Sequence, residues 1–156
     1  MTDHPVPAAE PDEILRSVRI AASPQTVFDV IREPGWFINE GAYVPHEITD
    51  LGDGTFRVVD PVHGAFVIAA DVLEPPRRAV FRWLGGDAGE FAGAPTTTIE
   101  FTLVAEGQGT LLTVRESGFA SLDEDSLARR RRIEENTEGW EIELGIARDV
   151  AEQRAA

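Results

Sequence analysis

The spacing of apolar positions changes twice along the chain. Residues 14–21 alternate imperfectly between apolar and polar and predict a first strand. Ser23-Pro24 then predicts a helix start, with Ser23 as N-cap and Pro24 in the first turn, where its missing N–H costs nothing. Val27, Phe28 and Ile31 supply the buried face of that helix, and Pro34-Gly35 stops it. Trp36-Phe37 follows in a short segment expected to be a second small helix, packed on the core or rimming a cavity. From there the period falls to two. Strands are expected over 44–50, 55–60, 65–73, 78–84, 96–104 and 110–117. Turns punctuate them at Gly52-Asp53-Gly54, Pro61-Val62-His63-Gly64, Glu74-Pro75-Pro76 and Gly107-Gln108-Gly109. The glycine-rich stretch 85–95 is expected to be a mobile loop.

The last quarter returns to helical spacing. Arg130, Ile133, Thr137, Trp140, Leu144, Ala147 and Ala151 recur at steps of three and four and predict one long helix over about 121–153. Ser121 and Glu124 are placed as a capping box, and the acidic residues 123–125 suit the positive end of the helix dipole. Gly139 and Gly145 interrupt it; they are a tolerated weakness, or reflect a close strand, or leave room for something beneath. The run 129–132 is all Arg, and Glu134 and Glu135 lie four residues beyond Arg130 and Arg131, as helical ion pairs require. The run therefore reads as a solvated face rather than a phosphate patch.

An antiparallel meander with one polar face needs a cover for its apolar face. The terminal helix is the one element with a long enough stripe. The expected fold is α+β: a curved antiparallel sheet of seven strands around a long C-terminal helix, with two short helices after the first strand. Residues 1–12, rich in Pro, Ala and acid, are expected as a disordered tail, and 13–156 as a single domain.

Charge narrows the partners. The chain carries 28 acidic and 14 basic side chains, a net −14, and every basic residue except histidine is Arg. Such a surface repels nucleic acid and anionic lipid, so neither is expected as a partner. Without Lys or Cys the chain offers no Schiff base, thiol nucleophile or thiolate metal site. His46 and His63 lack metal-ligand spacing, so no metal and no cofactor is expected; each reads as a surface residue or a hydrogen bonder at a cavity mouth. No secretory leader or membrane-length apolar run is seen, and a cytoplasmic location is expected. No phosphate loop, dinucleotide fingerprint or nucleophile elbow occurs.

Four stretches carry a family resemblance. Residues 18–28 (VRIAASPQTVF), 72–83 (VLEPPRRAVFRW), the pair 98–103 (TIEFTL) with 109–119 (GTLLTVRESGF), and 136–140 (NTEGW) stand in the order seen in the START-like (SRPBCC) helix-grip superfamily. The chain most resembles the branch named after the activator of the heat-shock-protein-90 ATPase, over about residues 14–152. The resemblance implies a seven-stranded sheet gripping the last helix, with an apolar cavity between. It leaves activity open, because that superfamily spans lipid carriers, hormone receptors, polyketide cyclases and chaperone regulators.

The site expected from this reading is a small-molecule pocket between sheet and helix. Its ligand-binding residues would be Trp36, Phe66, Ile68, Phe81, Trp83, Ile99, Phe101, Leu112, Val114, Glu116, Thr137, Trp140 and Leu144. The same aromatics packed solid would make an ordinary core. Glu116 alternates in phase with Leu112 and Val114, so it points inward. It is the candidate catalytic residue of a cyclase- or dehydratase-like enzyme, or a ligand anchor, or a carboxylate satisfied by neighbours. Binding of a small apolar or aromatic ligand is the first function expected, by a monomer or weak homodimer. A protein-interaction module regulating a chaperone or stress-response partner is the alternative. Catalysis ranks last because no nucleophile constellation supports it.

Overall fold

The computed structural model describes residues 12–86, 96–122 and 124–156. The elements run β1 (Glu13–Ile20), α1 (Pro24–Ile31), β2 (Glu47–Gly52), β3 (Thr55–Asp60), β4 (Gly64–Glu74), β5 (Arg78–Gly86), β6 (Thr98–Glu106), β7 (Gly109–Ser117), a 3₁₀ turn (Phe119–Ser121) and α2 (Ser126–Ala155). The expected tail falls outside the described residues except for Asp12, and the expected 85–95 loop except for Gly85 and Gly86, which end β5.

The strands form one antiparallel sheet in the order β1-β7-β6-β5-β4-β3-β2. Everything from β2 to β7 is a meander; β1 closes the far edge by pairing with β7. Local chemistry sets the corners. Asp53 and Gly54 both have positive φ, 54° and 75°, which matches the twist of a two-residue hairpin. The alternation then sorts the side chains. Ile14, Val18 and Ile20 of β1 share the inner face with Leu112 and Val114 of β7, and with Ile99, Phe101 and Leu103 of β6. Phe81 and Trp83 of β5, Phe66 and Ile68 of β4, and Phe56 and Val58 of β3 continue that face.

Both helices lie on this concave side. Ser23 caps α1 as expected, its side chain accepting from the Thr26 N–H at 3.2 Å, and Val27, Phe28, Val30 and Ile31 are buried. One short helix follows β1; the segment expected as a second is a series of turns through Phe37. Gly35 explains why: a Cβ there would stand 2.9 Å from Val58 Cγ1 and 3.2 Å from Ile68 Cδ1. The backbone presses on the sheet at that point with φ of 75°, outside helical space.

α2 is 30 residues long, about 45 Å at 1.5 Å per residue. It begins five residues later than expected. Asp125 is the N-cap, accepting from the Ala128 N–H at 2.8 Å, while Ser121 bonds to Gly118 O within the 3₁₀ turn. Glu124 instead takes the guanidinium of Arg132. Of the expected stripe, Ile133, Trp140, Leu144, Ala147 and Ala151 are buried, Thr137 is half-buried and Arg130 is exposed. Gly139 and Gly145 answer to no close strand. A methyl on Gly139 would meet nothing within 4 Å, and one on Gly145 only the Arg148 guanidinium at 4.0 Å.

Candidate functional site

The placement of α2 divides the concave face. Its closest backbone neighbours are β1, α1 and the 3₁₀ turn. Side chains tie it down at that end. Arg16 of β1 meets Glu141 at 3.3 Å, and the Ala21 N–H donates to Glu152 at 2.9 Å. Under the two helices, Ile20, Phe101, Leu112 and Val114 are fully buried, with α1 on β6 and β7 and Trp140 of α2 against Phe101.

Glu116 is the polar centre of this junction. It lies on β7 and is 5% exposed. Thr97 Oγ1 donates to it at 2.6 Å, Trp140 Nε1 at 2.9 Å and Asn136 Nδ2 at 3.3 Å. A buried carboxylate needs such donors in place of water. They come from the approach to β6 and from two turns of α2, so the carboxylate braces helix to sheet.

The other end of the face is built around Phe37. Its ring lies 5.4 Å from Trp140, 5.8 Å from Trp36, 6.0 Å from Trp83, and 6.3 Å from both Phe81 and Phe101. The Phe66 and Trp83 rings meet at 4.8 Å with their planes tilted by 52°. Here burial is incomplete: Phe37, Ile48, Phe56, Phe66 and Trp83 pack against the core but keep part of their surface open. Ile48, Phe56, Phe66 and Trp83 form an apolar patch across β2 to β5, with Phe37 against it.

Two polar pairs, Asn39–Glu143 and His46–Asp60, border this region. Asn39 donates to Glu143 Oε1 at 2.6 Å and to Trp36 O at 2.8 Å, and accepts from the Val44 N–H at 2.9 Å, so it staples the segment after Phe37 to α2. Burial raises the Glu143 carboxyl above the usual range, against a smaller opposing effect of the Asn39 bond. His46 Nε2 lies 2.9 Å from Asp60 Oδ1, with both side chains out of solvent at 0% and 1% exposure. Asp60 Oδ2 accepts the N–H groups of Val62 and His63 at 2.8 and 2.7 Å. Burial, the largest single influence, acts to raise the Asp60 carboxyl. The His63 and Val62 N–H groups and the His46 ring outweigh it, leaving the group below the usual carboxylate range. Two buried ring nitrogens, Trp36 Nε1 and His46 Nδ1, have no hydrogen-bond partner.

The expected site residues are thus distributed over both halves. Trp36, Ile68, Phe81, Phe101, Leu112 and Val114 are fully buried, and Ile99, Glu116, Trp140 and Leu144 nearly so. Phe66, Trp83 and Thr137 are half-buried, with the Thr137 hydroxyl donating to Ile133 O at 2.6 Å. His46 is no surface residue: its cross-strand carboxylate draws the ring inside. His63 does lie at the surface, paired with Glu40 at 2.7 Å. Asn39, Asp60 and Glu143 were not foreseen as site residues, and Phe37 only as part of a Trp36-Phe37 pair on the core or at a cavity rim. Glu143 had a signal, standing three residues after Trp140 on the same helical face. Asp60 had one too, alternating in phase with Phe56 and Val58. Among the described residues no cluster of His, Cys, Asp or Glu could hold a metal ion, and no helix is long and apolar enough to cross a membrane.

Comparison with known proteins places this architecture. A family model described as activator of Hsp90 ATPase homolog 1-like protein matches residues 21–145, most of the chain. The chain belongs to this family. No match is found among curated protein sequences. Solved structures similar to this family member include a Mesorhizobium loti protein, with TM-score 0.66, 15% identity, and coverage of 90% of this chain and 97% of that one. The Aha1 dimer from Colwellia psychrerythraea aligns with TM-score 0.62 and 17% identity, covering 90% and 96%. The Zhui aromatase/cyclase from a Streptomyces species aligns with TM-score 0.63 and 20% identity, covering 92% and 95%. At these identities the likeness establishes the helix-grip fold, which family membership and topology share.

Proposed function

We propose that the chain binds a small apolar or aromatic molecule on the open half of the concave face, against Phe37, Phe56, Phe66 and Trp83. The observation that carries this reading is the split in burial. Around Phe37, the Trp36, Phe81 and Phe101 rings are wholly enclosed while Phe37, Phe56, Phe66 and Trp83 keep part of their surface open. Apolar surface left open inside a concave wall is where a ligand gains most by displacing water, about 25 cal/mol for each Å² removed from solvent. The net charge of −14 favours a neutral or cationic ligand over an anion. A solved relative of the same fold being an aromatase/cyclase is in keeping with a cyclic ligand.

Titration with naphthalene, followed by tryptophan emission, tests the proposal. Saturable binding that Phe66→Ala weakens tenfold or more is expected. Absence of any saturable change would reject it.

The enzyme reading built on Glu116 has less behind it, since three donors already engage that carboxylate. The partner-protein reading is also weaker. Among the described residues the exposed large apolar side chains are Leu15, Leu51, Val62, Leu73, Val104, Leu127 and Ile142, and only Leu127 and Ile142, near opposite ends of α2's first half, share an element.

A further inference from the structure

We infer that Phe37 is the residue that limits ligand size: its ring fills the aromatic box between sheet and α2 that a longer ligand would enter. The inference rests on the proposed ligand reading and adds the size class of the ligand, a compact aromatic rather than an extended polycyclic one. Phe37 touches both kinds of surface. It contacts Trp83, which keeps part of its surface open and itself meets Phe66. It also contacts Trp36, Phe81, Phe101 and Trp140, all of them buried. Phe81 stands two residues before Trp83 on the inner face of β5, about 7 Å further along the strand. Phe101 lies 6.0 Å beyond Phe81, so the aromatic wall runs without a break from the open patch into the enclosed box. The Phe37 ring stands on that wall where open surface gives way to enclosed.

The box does not rest on that ring alone. Trp140 is fixed by its Nε1–H bond to Glu116 at 2.9 Å, and Phe81 and Phe101 stand on the paired strands β5 and β6. The backbone that carries Phe37 is held separately. The Trp36 N–H donates to Glu33 O at 3.1 Å and the Ile38 N–H to Gly35 O at 2.9 Å, while Asn39 ties the chain to Glu143. Phe37 thus enters the box as a single ring on an irregular segment anchored before and after it. An apolar space whose walls hold on their own relaxes only partly when its occupant is cut back, and it takes an aromatic guest instead. The side chain at position 37 therefore sets how far a flat ligand extends inward. With Phe the ligand ends beside Trp83; with a smaller side chain one more ring fits.

Naphthalene and phenanthrene, two and three fused rings of the same chemistry, read this limit by equilibrium dialysis. Phe37→Ala is expected to raise the phenanthrene-to-naphthalene affinity ratio about tenfold or more over the parent chain, the scale on which an apolar pocket senses added bulk. Phe66→Ala is expected to weaken both probes and leave the ratio near the parent value. Phenanthrene bound to Phe37→Ala should also shift the side-chain resonances of Phe81 and Phe101, which naphthalene leaves unmoved in the parent. If Phe37→Ala loses its near-ultraviolet dichroism, Phe37→Leu serves instead and should raise the ratio in the same direction. An unchanged ratio in the folded variant, loss of both affinities together, or an equal rise in Phe66→Ala overturns the inference and makes Phe37 ordinary wall. Naphthalene that fails to bind the parent chain removes the ligand reading beneath the inference as well.

Discussion

The two ends of the concave face are made from similar residues and reach different states. At the β1, β7 and β6 end, Ile20, Leu112, Val114 and Phe101 are closed over by α1 and α2 together. At the β2 to β5 end, Val58, Ile68 and Phe81 are enclosed as well, but Ile48, Phe56, Phe66 and Trp83 stay part-exposed. The cause is the position of the cover, not the composition of the wall. Arg16, Glu116 and the Ala21 N–H all anchor α2 toward one end. Phe37 spans the border, touching Trp140 on one side and Trp83 on the other. The lesson is that aromatic content alone does not decide which side chains are enclosed; the anchoring of the cover does.

Substitutions should separate the halves by what they damage. Phe101→Ala, in the closed half, should cost about 3–5 kcal/mol in urea denaturation, the range for emptying a well-packed aromatic site. Glu116→Ala should also act mainly on stability. It leaves the Thr97, Asn136 and Trp140 donors unmatched, at about 1–3 kcal/mol for a buried donor. A large loss of naphthalene affinity with stability intact would break the division. Phe66→Ala, in the open half, should cost only about 1–2 kcal/mol because the ring is part-exposed, while abolishing most binding.

A gentler test lies at the border. The folded state raises the Glu143 carboxyl above its unfolded value. Its contribution is therefore fully present below the unfolded range and is lost as pH rises through the folded one. Glu143→Gln keeps an acceptor for Asn39 and carries no charge. Its melting temperature should match the parent chain at pH 4 or below and exceed it at pH 7. Equal melting temperatures at both would mean that burial exerts no pull on this group.

Much of the fold was legible because period-two alternation fixes which residues face inward, as for Phe81, Trp83, Ile99 and Phe101. The start of α2 was misplaced because Ser121-to-Glu124 and Asp125-to-Ala128 offer rival caps three to four residues apart. Local preference does not weigh the 3₁₀ turn that engages Ser121. The site was less legible. Phe37 becomes central only because Gly35 lets the chain press on Val58 and Ile68, a long-range contact that no local spacing encodes. The His46–Asp60 pair likewise depends on β2–β3 register, which turns two unremarkable polar positions into one buried unit.

The most direct measurement is a chemical-shift map of the chain titrated with naphthalene, using side-chain labels on both halves of the face. Saturable shifts at Ile48, Phe56, Phe66 and Trp83, with Ile20, Leu112 and Val114 unmoved, are the expected result. Shifts confined to the α2-covered residues, or none at any concentration, would contradict the assignment of the open half as the binding wall.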